Sequence, residues 1–250
     1  MATELGLISD IHGNAVALDA VVTDLERRRV REAICLGDIA AGGPQPGAVI
    51  ARLRELGCLC VRGNAESWVL DRLPPGRSEE TRRLAAVVAW TRTVLSRDDV
   101  DYLAGLPPTL TASVGAVSVF CFHGSPRSEI ERLLAGTPEH ELEDALAEAP
   151  VAGVVAGGHT HLQLSRRCGD RWLVNPGSVG LPLGSLTGDP LLPAWAEYAL
   201  VEVDDGKVDV SFQRVAVDVE ALAAVTATMP HASWAADLER RILRRNAKGR

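Results

Sequence analysis

Seven residues hold most of the chemistry this 250-residue chain could perform: Asp10, His12, Asp38, Asn64, His123, His159 and His161. Each follows a short apolar run, and most sit beside a glycine, where backbone can approach an ion closely. Leu5-Gly6-Leu7-Ile8 leads into Ser9-Asp10-Ile11-His12-Gly13-Asn14, Ala33–Leu36 into Gly37-Asp38, and Cys58–Val61 into Arg62-Gly63-Asn64. Phe122 precedes His123-Gly124, and Ala152–Ala156 precedes Gly157-Gly158-His159-Thr160-His161. A carboxylate and an imidazole at positions i and i+2 of an extended segment point to the same side and can reach one object together.

Four of the six histidines belong to this set. A single histidine is more often structural than a ligand, so it is the repeated placement at strand ends that argues for a site. Nitrogen and oxygen donors without a thiolate suit Mn, Fe, Co, Ni or Zn in a reactive site, not a structural zinc. Seven donors are too many for one tetrahedral ion and about right for two ions sharing a carboxylate.

The elements that must position these residues follow from the periodicity. Three strand–helix units open the chain: helical patterns follow Asn14 and Gly47, and the strands they join are apolar and short, which implies a parallel sheet with helices on its face. In such sheets ligands bind beyond the carboxyl ends of the strands. Two helical patterns, Glu79 to Leu95 and one beginning near Asp98, fill a cap-like or wall-like segment at about 66–106. Hairpins are expected across Gly115, Gly169-Asp170 and Asp205-Gly206. A further helix is expected from Pro138 to Ala149, and a C-terminal helical region at about 218–246. The switch from parallel units to hairpins indicates one domain, 1–250, with two packed sheets.

Composition narrows the rest. With 46% hydrophobic and 24% charged residues this is an ordinary globular chain, and a net charge of -7 provides no global field for nucleic acid. No apolar stretch is long enough for a bilayer, and no secretory signal precedes the first strand, so a cytoplasmic location is the expectation. The five cysteines, Cys35, Cys58, Cys60, Cys121 and Cys168, read as reduced core thiols. Cys58 and Cys60 share a strand face and could bind a soft metal, but no second cysteine pair completes a tetrahedral set.

The ordered set Asp10-x-His12, Gly37-Asp38, Gly63-Asn64, His123 and Gly158-His159-x-His161 resembles the calcineurin-like metallophosphoesterase signature. Asn175-Pro176-Gly177-Ser178-Val179-Gly180 is similar to the small bacterial and archaeal phosphodiesterase branch of that superfamily. The likeness runs from Leu5 to about Val215. It implies an α/β fold, a four-layer αββα sandwich of two mixed β-sheets with metals at one end.

It also implies two divalent metal ions, manganese first, with Fe, Ni, Co, Zn or Mg as alternatives. Asp10, His12 and His161 would hold one ion and Asn64, His123 and His159 the other, with Asp38 as the bridge. The implied reaction is hydrolysis of a small phosphorylated substrate by a hydroxide shared between the ions, with Asp38, Asn64 and His123 at its centre. A phosphomonoesterase or protein phosphatase is the second enzymatic reading. A non-catalytic scaffolding module is the reading from another class.

Two positions depart from the pattern. Ala65 stands where many members have a histidine that protonates the leaving oxygen, although Glu66 remains where an acidic residue usually orients it. Pro182-Leu183 stands where the family often has Pro-Arg. Arg62 and Arg127 flank motifs and could replace a phosphate-contacting arginine, although structural roles are the commoner outcome. Trp68 and Trp90 read as packing before base stacking. Gly13 and Asn14 read equally as a helix cap and as phosphate contacts. The basic run Arg240, Arg241, Arg244, Arg245 and Lys248 reads as a solvated helix end.

Overall fold

The computed structural model describes residues 3–71, 78–183, 194–227 and 229. Two five-stranded mixed sheets face one another. The first is built on β1 (Thr3–Ile8), whose apolar run is buried on both faces, as a central parallel strand requires. Parallel to it lie β2 (Ala33–Cys35) and then β3 (Leu59–Cys60) at the edge. On the other side of β1 stand β9 (Trp195–Asp204) and β10 (Lys207–Ala216), an antiparallel hairpin turned at Asp205-Gly206. The second sheet has the order β4 (Leu110–Val114), β5 (Val117–Cys121), β6 (Val154–Ala156), β8 (Arg171–Pro176), β7 (Gln163–Cys168).

Leu5, Leu7, Ile34, Leu36 and Val61 from the first sheet meet Val119, Cys121, Val154, Ala156 and Val174 from the second in a core between the sheets. The other face of the first sheet is covered by α1 (Ala15–Arg28) and α2 (Pro46–Glu55). The helices α4 (Glu79–Val94) and α5 (Arg97–Ala104) place Leu84, Val87, Val88 and Leu103 in that same core, so they extend this helical layer. The outer face of the second sheet packs Phe120, Phe122 and Val155 against Leu142 and Ala145 of α6 (Glu139–Ala145). This is the αββα arrangement.

Several boundaries differ from the sequence expectation. The helix expected from Pro138 to Ala149 ends at Ala145, where the chain tightens into i→i+3 bonds from Ala147 N–H to Asp144 O and from Ala149 N–H to Leu146 O. The third strand keeps only Leu59 and Cys60; Cys58 precedes it, and Leu59 is 54% exposed because β3 is an edge. An additional helix, α3 (Asn64–Asp71), begins at the third motif. Of the expected C-terminal helical region, α7 (Val219–Thr226) is described; Arg240, Arg241, Arg244, Arg245 and Lys248 lie outside the described residues.

Candidate metal centre

Six of the seven motif residues come from loops at the carboxyl ends of β1, β2, β5 and β6, and Asn64, beyond β3, is the first residue of α3; all lie at one end of both sheets. Asp10, His12 and His161 form one group of donor atoms all within 4.8 Å of one another, and Asp38, His123 and His159 form a second. Among the described residues, no other cluster of His, Cys, Asp or Glu meets that spacing. Asp10 joins the groups: its Oδ1 lies 3.2 Å from His161 Nε2, and its Oδ2 accepts the His159 backbone N–H at 3.1 Å. Asp38 lies between histidines of both groups, with Oδ1 3.3 Å from His123 Nε2 and Oδ2 3.7 Å from His12 Nε2.

Three imidazoles are fixed by backbone carbonyls. His12 Nδ1 bonds Ala41 O at 2.7 Å, His123 Nδ1 bonds Leu36 O at 2.7 Å, and His161 Nδ1 bonds Leu181 O at 2.8 Å. Each contact makes Nδ1–H the donor, which turns Nε2 inward as the free donor atom an ion needs. His12 Nε2 and His161 Nε2 are only 3.2 Å apart, and two lone pairs at that distance require a proton or a cation between them. Asp10 Oδ1, Asn64 Oδ1 and His123 Nε2 are buried without a hydrogen-bond partner in the protein. Buried polar atoms are ordinarily satisfied, so this donor set fits divalent cations.

The electrostatics agree with a site built for positive charge. Burial opposes the charge of Asp38, yet His123 and His12 outweigh it and hold the carboxyl below its usual range. His123 shows the reciprocal effect: burial lowers it, but the Asp38 carboxylate pushes it up to about 10. Burial and the His123 charge together push His159 down to about 3.

Backbone conformation was the feature hidden from sequence. Asp10, His12, Asp38, His159 and His161 all have positive φ, between 49° and 66°. Left-handed backbone costs a non-glycine residue about 1–2 kcal/mol, and such strain collects at functional sites. Gly63 is needed beside them for another reason: a Cβ there would lie 2.3 Å from Asp38 Oδ1.

Two buried residues hold the loops together. Glu66 does not orient a side chain; its carboxylate accepts the backbone N–H groups of Asp38, Ile39, Ala40 and Gly63 at 2.8–3.2 Å. Burial and the Asp38 charge push its pKa up to about 7 against those donors. Asp38 Oδ1 in turn accepts the Ala65 N–H at 2.8 Å and so caps α3 from a distant loop. Ser178 is the other: its Oγ donates to Asp10 O and accepts from Leu181 N–H, both at 2.8 Å. Asn175 Nδ2 donates to Gly158 O at 2.6 Å, holding the turn of His159 and His161. The Asn-Pro-Gly-Ser stretch stood out in the sequence as a family likeness, but its partners did not.

The secondary candidates resolve to structural roles. Arg62 pairs with Glu129, and Arg127 pairs with Glu131 and Asp144. Asn14 Oδ1 accepts the Ala17 N–H and caps α1. Trp68 and Trp90 are partly buried against the helical core.

Comparison with known proteins agrees with this geometry. The model of the calcineurin-like phosphoesterase superfamily domain matches residues 3–206. A metallophosphoesterase structure from Sphaerobacter thermophilus superposes with a TM-score of 0.70 at 28% identity, covering 95% of this chain and 99% of that one. A hypothetical protein from Pyrococcus horikoshii OT3 shares the fold, with a TM-score of 0.73 at 21% identity over 88% and 91% of the two chains. Among curated relatives, the phosphodiesterase YfcE of Escherichia coli K12 is 26% identical over 211 residues, 80% of this chain and 88% of the relative.

Proposed function

Because this chain belongs to the calcineurin-like phosphoesterase superfamily, we propose that it is a metal-dependent phosphodiesterase with a two-ion centre. The observation that supports this most is the pair of adjacent donor groups, Asp10–His12–His161 and Asp38–His123–His159, with buried donor atoms left unpartnered. In this reading Asn64 completes the second group and Asp38 bridges the two. Divalent ions bound there would supply Lewis-acid polarisation and an acidified water near neutral pH.

The protein's own part is arrangement. Asp10 and Asp38 are the two carboxylates of the set, and the remaining donors are neutral imidazoles and one amide. Two carboxylates offset half the charge of two dications, so the loaded centre draws a phosphate anion into an otherwise acidic protein. His12, His123 and His161 cannot rotate away, because each Nδ1 is tied to a carbonyl.

Ala65 offers no side-chain proton, and its N–H is committed to Asp38. The preferred ester is therefore one whose leaving group departs without help from that position. The diester preference is supported by YfcE, which is a phosphodiesterase at 26% identity. The test uses chelator-treated protein. It should be inactive on bis-p-nitrophenyl phosphate and regain turnover on addition of Mn, with a slower rate on p-nitrophenyl phosphate. Folded protein that turns over neither ester with Mn, Co, Ni, Mg or Zn would refute the assignment.

A further inference from the structure

Away from the metal centre, β1, β2 and β3 near their amino ends and the last turns of α1 enclose a cleft of about 820 Å³. Its floor is apolar, with Leu5, Val22, Leu25 and Val30 all buried. Its lip carries two leucines that water reaches: Leu56 is 39% exposed and Leu59 is 54% exposed. They flank a short turn that is already fixed. The Gly57 N–H donates to Arg54 O at 3.1 Å, the Cys58 N–H to Leu53 O at 3.0 Å, and Cys58 Sγ to Ala33 O at 3.2 Å. Gly57 takes a φ of 59°, the left-handed close of α2. A knob held this way loses little freedom when a partner buries it.

The rim carries both signs, with Glu26 and Glu32 beside Arg29 and Arg31. Glu26 lies 3.9 Å from Arg52, whereas Arg29, Arg31 and Glu32 are exposed and make no ion pair among the described residues. We propose that this cleft is a homodimer interface, in which two copies dock about a twofold axis and each seats Leu56 and Leu59 in the other's cleft.

A twofold interface presents the same surface from both partners, so a hole must carry its own knob beside it, as the leucines on this lip do. The charges must likewise answer themselves. Glu32 of one copy facing Arg29 or Arg31 of the other makes attractive pairs, and a rim with two charges of each sign brings no net repulsion. A small ligand, which a cleft of this size accommodates, would cover the floor but leave Leu59 and the unpaired rim in water. A second copy covers all three. The metal-ligand groups follow the carboxyl ends of the strands, so both centres stay open in the dimer. The interface is independent of the phosphoesterase reading.

Sedimentation velocity and hydrogen exchange of the full chain over a range of concentrations test this. Wild type should pass from monomer to dimer as its concentration rises through the micromolar range, and the amides of 56–59 should gain protection in step. Leu59→Glu, at an exposed position, should raise the dissociation constant at least about tenfold. Glu32→Arg should raise it at least about tenfold in low salt, and adding Arg31→Glu to it should recover most of the loss. If Leu59→Glu fails to fold, the charge-reversal series alone decides. A chain that stays monomeric at every concentration would overturn the proposal, including one whose cleft is covered by another segment of the same chain or by a small molecule retained in native mass spectrometry. So would a dimer whose dissociation constant is unchanged by Glu32→Arg or by a folded Leu59→Glu.

Discussion

Replacing Asp38 with Asn gives a quantitative test of how the centre is held before any ion binds. Asn can still accept the Ala65 N–H, which Asp38 Oδ1 now takes at 2.8 Å, so the cap of α3 survives. What disappears is a charge 3.3 Å from His123 Nε2. At an effective dielectric of about 20, that pair is worth about 5 kcal/mol, or more than three powers of ten in proton affinity. This agrees with a His123 pushed up from its ordinary 6.5 to about 10. In Asp38→Asn only burial and more distant charges remain, so His123 should titrate at about 7 or below.

Stability should follow. A histidine raised by its partner stabilises the fold fully below its unfolded value and loses that contribution as pH rises through about 10. His159, pushed down to about 3, is already neutral in both states above pH 7, and Glu66, at about 7, is largely ionised. His161 is also raised, against burial and chiefly by Asp10, with Asp38 the smallest contributor, so most of its share of the slope survives in Asp38→Asn and the part that is lost adds to the same difference. Chelator-treated wild type should therefore lose about 2 kcal/mol more than Asp38→Asn between about pH 7.5 and 9.5. The assays are NMR titration of nitrogen-15-labelled histidines and urea unfolding at the two pH values. A wild-type His123 titrating near 6.5, or parallel stability slopes, would refute the reasoning.

Two further substitutions probe the loops. Gly180→Ala would set a Cβ 1.9 Å from Ile11 O, forcing apart the turn that bonds Asp10 O; a loss of about 3 kcal/mol is expected. Gly136→Ala, with nothing within 4 Å, should be near neutral, and thermal unfolding of the pair tests the contrast. Glu66→Gln leaves one carbonyl oxygen for four N–H groups and should cost about 2–4 kcal/mol in urea unfolding. A cost below about 0.5 kcal/mol would mean that the four bonds do not hold the Asp38 and Asn64 loops together.

The fold was legible where local pattern and tertiary role coincide. Short apolar runs gave β1, β2 and β6, the last two running into glycine, and turn residues gave the hairpins at Gly115, Gly169 and Asp205. Six of the seven candidate donors converge in two groups because the strand ends that carry them lie at one end of both sheets. The start of α3 was not legible, because its first turn is capped by Asp38, whose carboxylate arrives from another loop. The work of Glu66 and Ser178 was hidden for the same reason: their partners are main-chain groups on other loops, and main-chain partners leave no trace in side-chain identity.

The left-handed backbone at Asp10, His12, Asp38, His159 and His161 has one more consequence. After glycine, the residues that accept this conformation most readily are Asn, Asp and His. Those three are also short oxygen and nitrogen donors of the kind that hard and borderline divalent cations prefer. The alphabet allowed by the main chain at these positions therefore coincides with the alphabet of ligands. A loop bent this way has few substitutions open to it that are neither glycine nor a donor, so drift at these positions is channelled between erasing a ligand and exchanging it for another.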